Sequence, residues 1–485
     1  MRVLVTGATG YVGGRLVPVL LQEGHVVRCF TRGANRLRDL PWRSQVDIAE
    51  GDVLDRGAVL DALADVDVAY YLVHALGTGR DFEQSDRQAA RIFAAAADDR
   101  GVGRIVYLGG LAPTGGELSP HLRSREEVGE IFLAADTPAA VLRAAVILGS
   151  GSASFEMLRY LTERLPAMVT PRWVHNRIQP IAIGDVVRYL AACASSLPAD
   201  VNRTFDIGGP DVLTYVSMMQ RYAALAGLRR RIIVPVPVLS PSLSSHWVGL
   251  VTPVPNVIAR PLVESLRHEV VCREHDIARW IPDPLQGLVG FDDAVRLALA
   301  HVRDGDVSTR WSNASWPGAP GDPLPTDPEW AGGSLYVDKR VTRVASTAVD
   351  LWRVVEGVGG ENGWYSWPLA WQVRGWLDRA FGGVGLRRGR RDPARLRSGD
   401  AVDFWRVEEI EPGHLLRLRA EMRLPGRAWL ELRVDAAGEE STYTQRAVFQ
   451  PRGLAGHLYW WSVAPFHRLV FGGMARNIAA AATAS

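Results

Sequence analysis

A chain of 485 residues is too long for one ordinary domain and predicts two or three. With 47% hydrophobic and 22% charged residues it is globular rather than disordered, and a formal charge of +2 gives no electrostatic reason to expect a nucleic-acid partner. Its three cysteines, Cys29, Cys193 and Cys272, are too few and too dispersed for a disulfide framework and fit a reducing compartment.

Met1 leads at once into a strand-like run, Arg2–Thr6, with no signal-peptide pattern, and no apolar run reaches the roughly 18 residues a membrane span needs. The expected location is cytoplasmic, with peripheral contact at the inner face of a membrane left open. Further short apolar runs follow at Val26–Phe30, Asp47–Glu50, Val68–Val73, Arg104–Leu108 and Ala140–Leu142. Amphipathic stretches such as Gly13–Glu23, Asp55–Leu63 and Phe82–Asp98 separate them. This β–α alternation predicts an α/β fold, a doubly wound parallel sheet with helices on both faces. Thr204–Ile207 and Arg231–Val236 are further strand candidates, from a segment appended to the sheet. Prolines 317, 320, 323, 325 and 328 mark residues 306–334 as a linker, in which Trp311, Trp316 and Trp330 suggest surface packing. The expected organisation is a first domain over 1–305, this linker, and a second domain over 335–485.

The loop Thr6-Gly7-Ala8-Thr9-Gly10-Tyr11-Val12-Gly13 leaves the first strand and opens a helix. Gly7 suits a tight turn, Gly10 a close approach of backbone to pyrophosphate, and Gly13 close packing of helix on sheet. Unpaired N–H groups at the helix start complete a phosphate site. The loop, with Thr9, Tyr11 and Val12, is therefore a dinucleotide-binding candidate. After the second strand the chain reads Thr31-Arg32 where NAD-binding loops carry an acid, so Arg32 favours NADP over NAD. Asp52, followed by Val53, is placed either to accept from an adenine amino group or to cap a helix.

Taken together, TGATGYVGGRLV at 6–17, GDVLD at 51–55, YYLVHAL at 70–76, YLGGL at 107–111 and FDIGGPDVLTY at 205–215 resemble the short-chain dehydrogenase/reductase superfamily. The likeness is to its atypical and extended members, the NmrA-like and complex-I-accessory-subunit-like group, over roughly residues 1–300. It implies a Rossmann-like sheet, NAD(P) across the carboxyl ends of its strands, and Val73 and His74 beside the nicotinamide ribose. The superfamily's Tyr-x-x-x-Lys pair is missing: Lys339 is the only lysine in the chain. At that place His121 and Arg125 share the same i, i+4 spacing on one helix face. An imidazole can act as a general acid near neutral pH, and a guanidinium can hold ribose or phosphate. The bland alternative gives both residues binding roles only. Gly109 or Gly110 stands where the superfamily's serine would be.

Beyond residue 334 the composition changes. Twelve of the 16 tryptophans lie at or beyond Trp311, and residues 335–485 carry 22 Lys and Arg against 16 Asp and Glu. Strand candidates are Leu335–Val341, Ala401–Ile410, His414–Glu421, Ala428–Asp435 and Ser441–Gln450, before a helix from about Leu454 to Ala480. On that helix Leu458, Trp461, Pro465, Leu469 and Gly472 form an expected inner stripe. The stretches at 341–356, 363–364 and 399–426 and the last helix resemble the START-like (SRPBCC) helix-grip superfamily, and more narrowly a domain of unknown function found behind such dehydrogenase-like domains. The resemblance implies an α+β helix-grip domain enclosing an apolar cavity; a solid aromatic core is the alternative.

Three weaker signals complete the reading. The basic run Arg387–Arg391, continued by Arg395 and Arg397, suits a solvated loop or anionic headgroups. His268, Cys272 and His275 approach metal spacing without a second cluster, so no metal is expected. Trp247–Val251 suits a substrate-side lid or a membrane-touching loop. The leading expectation is an NAD(P)-dependent oxidoreductase whose bulky hydrophobic substrate (a lipid, isoprenoid or quinone-like molecule) is held by the second domain. The alternative is a non-catalytic NAD(P)H-binding or sensing protein with a lipid-carrying second domain.

Overall fold

A computed structural model describes residues 1–38, 40–73, 82–111, 118–236, 251–265, 268–305, 327, 333–360, 363–365, 395–422 and 424–483. His74, Trp247–Leu250, Trp311, Trp316, Trp330, Arg387–Arg391, the side chain of Leu469 and most of the linker lie outside them. The chain forms two compact units, Met1–Gly333 and Ser334–Ser485.

In the first unit, seven strands make one parallel sheet: β1 (Arg2–Thr6), β2 (Val26–Thr31), β3 (Asp47–Glu50), β4 (Val68–Tyr71), β5 (Arg104–Gly110), β6 (Ala139–Ala144) and β7 (Arg203–Ile207). Their order is β7-β6-β5-β4-β1-β2-β3, every pairing parallel. The order reverses beside β1, and an open sheet binds ligands at such a switch point. The helices are α1 (Tyr11–Gln22), α2 (Arg56–Ala62), α3 (Phe82–Arg100), α4 (Pro120–Leu133), α5 (Ala153–Arg164), α6 (Ile183–Ser195), α7 (Tyr215–Leu225), α8 (Asn256–Ser265) and α9 (Phe291–Gly305). Strand alternation divides the core. Val3 and Val5 pack with Leu16 and Leu20 of α1 and Val186 and Leu190 of α6. Leu4 faces the other way, toward Val59 of α2, Phe93 of α3 and Phe132 of α4.

Local signals start the helices that matter for the site. Ser119 caps α4 by accepting from the Leu122 N–H at 3.3 Å, and Pro120 occupies the first helical position. Asp55, not Asp52, caps α2 through the Gly57 and Ala58 N–H groups. Asp52 instead accepts from the Leu54 N–H at 2.9 Å, which removes the capping alternative for it. Ile232–Val236 does not join the main sheet; it pairs with Ala167–Pro171 in a separate two-stranded sheet. A short apolar run specifies a strand but not its partner.

The second unit is a six-stranded antiparallel sheet of β8 (Tyr336–Val344), β9 (Ala401–Val402), β10 (Trp405–Glu411), β11 (Leu415–Ala420), β12 (Gly426–Ala437) and β13 (Glu440–Pro451). The order is β8-β13-β12-β11-β10-β9. Among the described residues, helices α10 (Ala348–Glu356) and α11 (Gly453–Thr483) accompany it. Two sequence expectations change here. Ala401–Ile410 is a tight hairpin rather than one strand, because Val402 pairs with Trp405 across Asp403, whose φ is +54°. Leu458 and Trp461 of α11 are 62% and 68% exposed, and Pro465 is exposed as well; among the described residues of the expected stripe only Gly472 is buried. The face in the core lies further along, at Phe471, Met474, Ala475, Ile478 and Ala482, against Leu430, Leu432 and Tyr443. A helix apolar nearly all round does not mark its inner face.

Candidate functional site

The carboxyl ends of β1, β4, β5 and β6 open into one cavity of about 520 Å³. Its floor is the glycine loop. Gly7 has φ +71°, and a Cβ there would lie 2.6 Å from the Leu72 carbonyl oxygen. A Cβ on Gly13 would lie 2.3 Å from the Gly7 oxygen, so only glycine lets α1 start this close to the turn. Thr6 is fully buried and ties β1 to β4: its hydroxyl donates to the Tyr70 oxygen and accepts from the Leu72 N–H, both at 3.0 Å.

The side wall is built by β5 and α4. Gly110 makes room for it, since a Cβ there would meet Leu122 at 3.0 Å and Arg125 at 3.3 Å. His121 is 6% exposed and lines the cavity together with Arg125. The Arg125 guanidinium donates to the Leu108 oxygen at 3.4 Å, and its backbone oxygen accepts from the Tyr107 hydroxyl at 3.3 Å. Ser124, one residue away, donates to Asp86 at 2.9 Å and fixes α4 against α3. The far wall is apolar and comes from distant parts of the chain: Leu111, Val146, Ile147, Ile258, Leu262 and Val270.

The electrostatics suit an anionic cofactor. Among the described lining residues there is no carboxylate, and Arg125 adds a positive charge. Three tyrosines reach the cavity, Tyr11, Tyr107 and Tyr215. Burial pushes all three phenols up, Tyr107 to about 12 even with Arg125 opposing the shift. Each therefore stays protonated at neutral pH, the opposite of a tyrosine activated by a neighbouring lysine.

The predicted residues separate into two groups. Gly7, Thr9, Gly10, Tyr11, Val12, Gly13, Val73, His121 and Arg125 all line the cavity. Arg32, Asp52 and Val53 do not; they follow β2 and β3, on the opposite side of β1 from β4. Arg32 is exposed and has no hydrogen bond or ion pair among the described residues. Sequence reasoning missed Tyr107, Tyr215 and the wall from α8. Tyr107 lay within a stretch already singled out, whereas nothing local marks Ile258 or Leu262. His268 and Cys272 form no metal group with other ligands among the described residues.

Residues 7–147 match a family described as "NAD(P)H-binding", and residues 330–474 match one described as "Protein of unknown function (DUF2867)". The chain is 28% identical over 278 residues to a ceramide reductase of Caulobacter vibrioides, covering 55% of this chain and 84% of that one. It is 32% identical over 116 residues to a 3 beta-hydroxysteroid dehydrogenase/Delta 5-->4-isomerase of Mycobacterium tuberculosis, covering 22% of this chain and only 30% of that one. The triphenylmethane reductase of Citrobacter sp., solved with NADP(H), shares the fold at a TM-score of 0.50 and 19% identity, over 61% of this chain and all of that one. The first unit is thus an NAD(P)-binding domain with a Rossmann-like sheet.

Proposed function

We propose that the chain is an NAD(P)-dependent oxidoreductase that reduces or oxidises a bulky apolar molecule in the cavity of the first unit. The observation that carries this reading is the continuity of one cavity, with the glycine loop at one end, His121 and Arg125 on its side and an apolar far wall. The bound cofactor supplies the hydride chemistry. The N–H groups at the start of α1 hold its pyrophosphate, and Arg32 pairs with a 2′-phosphate, which favours NADP. Arg125 holds a ribose or phosphate oxygen. His121 gives a ring proton to the oxygen or carbon that the hydride leaves negative, and the apolar wall excludes water. Relatives named for ceramide, steroid, sterol and 2-alkyl-3-oxoalkanoate substrates support an apolar substrate here. In this reading the second unit is START-like and holds or delivers that molecule; its antiparallel sheet and long helix share one core, as such a fold requires.

One observation favours a second reading, a non-catalytic NAD(P)H-binding protein: the first unit has no lysine, and its cavity tyrosines are all pushed up. The test is NADPH oxidation by the full chain against long-chain and steroidal ketones, with His121→Ala in parallel. The oxidoreductase reading expects turnover, a kcat about a hundredfold lower in the variant, and unchanged NADPH affinity. An unchanged kcat removes His121 as the proton donor. NADPH binding without turnover of any ketone favours the second reading.

A further inference from the structure

One buried ion pair serves neither the sheet nor the cavity wall directly. Arg15 lies one turn into α1 from Tyr11, with its side chain 1% exposed. It makes a bidentate pair with Asp327, 312 positions later, at 2.8 and 2.6 Å, and the Asp327 side chain is only 9% exposed. The same guanidinium donates to the Tyr11 carbonyl at 3.0 Å and lies 4.1 Å over the centre of the Tyr11 ring.

Two glycines pack closely against the Tyr11 side chain. A Cβ on Gly149 would come within 2.3 Å of the Tyr11 hydroxyl. A Cβ on Gly151 would lie 3.2 Å from both the Tyr11 ring and the Asp327 carboxylate. Tyr11 is the first residue of α1, so its own N–H belongs to the phosphate-binding turn. A cation this close to a helix N-terminus opposes the helix dipole. Removing the carboxylate partner of a buried arginine is costly, and Tyr11 at the start of α1 is among the groups that this arginine holds.

We propose that Asp327 is a positioning residue for the dinucleotide: by neutralising Arg15 it fixes Tyr11, and through Tyr11 the turn that receives the pyrophosphate. The phosphate site of the first unit is thus completed by a residue from the unit's far end. This rests on dinucleotide binding but not on catalysis or on the identity of the substrate.

The experiment measures NADPH affinity by fluorescence titration in the full chain, with folding checked by circular dichroism and thermal melting. Asp327→Asn keeps the shape and removes the charge; its Kd rises about tenfold. Asp327→Glu recovers most of that loss. The double variant Arg15→Met with Asp327→Asn recovers it as well, because no buried charge is left unpaired. A lower melting temperature for Asp327→Asn with wild-type Kd would reduce the pair to a structural one and overturn the proposal. So would a double variant that binds as weakly as the single one, since the effect would then not pass through Arg15. Wild-type protein that binds neither NADPH nor NADH would remove the dinucleotide reading and this proposal together.

Discussion

Gly13 sits where α1 starts against the glycine turn, and in the proposed reading cofactor binding depends on it directly. The 2.3 Å separation between its would-be Cβ and the Gly7 oxygen involves backbone on both sides, so no rotamer change can relieve it. Gly13→Ala must move α1 away from the turn, at about 1–3 kcal/mol for such overpacking. NADPH affinity measured by titration is expected to fall between about tenfold and a hundredfold. The need for glycine here was legible in the sequence, because spacing alone signals it. Asp52 shows the opposite case. Two aspartates three positions apart both had the chemistry to cap α2, and only the backbone path shows that Asp55 does so.

Among the elements, the β9–β10 hairpin is where periodicity failed. The alternation through Val402, Phe404 and Arg406 suggests one strand, yet Asp403 takes φ +54° and turns the chain back. Its carboxylate accepts from the Trp364 indole at 2.7 Å and from the Gly360 N–H at 3.2 Å. Those long-range bonds hold a non-glycine residue in the left-handed region. Asp403→Ala loses both and is expected to cost about 3 kcal/mol in urea unfolding. Asp403→Asn keeps an acceptor and tolerates the backbone angle, so its loss is smaller. Equal losses in the two variants would mean that the turn does not depend on these bonds. No local pattern forecasts this, because Trp364 is 39 residues away.

Across the whole molecule, buried charge is the feature that composition hides. A net charge of +2 coexists with buried ion pairs in the first unit, among them Arg15–Asp327 and Arg159–Glu156. Beside the second pair, Tyr222 donates to Glu163 at 2.6 Å. Burial raises the Glu163 carboxyl above its ordinary value, with Arg159 and Tyr222 opposing. A raised carboxyl means that the folded state holds the proton more tightly than the unfolded state. The resulting stability is fully present below the unfolded value of 4.5 and is lost as pH rises through the folded one. Glu163→Gln retains an acceptor for Tyr222 and cannot ionise. The difference in melting temperature between variant and wild type is therefore expected to move in the variant's favour from pH 4 to pH 7. A pH-independent difference would show that Glu163 does not titrate in this window. Further, no helix among the described residues is long and apolar enough to cross a membrane.

The sequence by itself determined the alternating β–α order of the first unit, the glycine loop after its first strand, the absence of the Tyr-x-x-x-Lys pair and the change of character past residue 334. Each is written within a few consecutive residues, as periodicity, glycine spacing or composition. Tertiary structure alone decided which strand Ile232–Val236 pairs with, which face of α11 is buried, and which distant side chains close the cavity. It also decided that Asp327 completes the surroundings of a turn more than 300 residues earlier. Such features depend on the register between segments far apart in the chain, and no local pattern encodes that register.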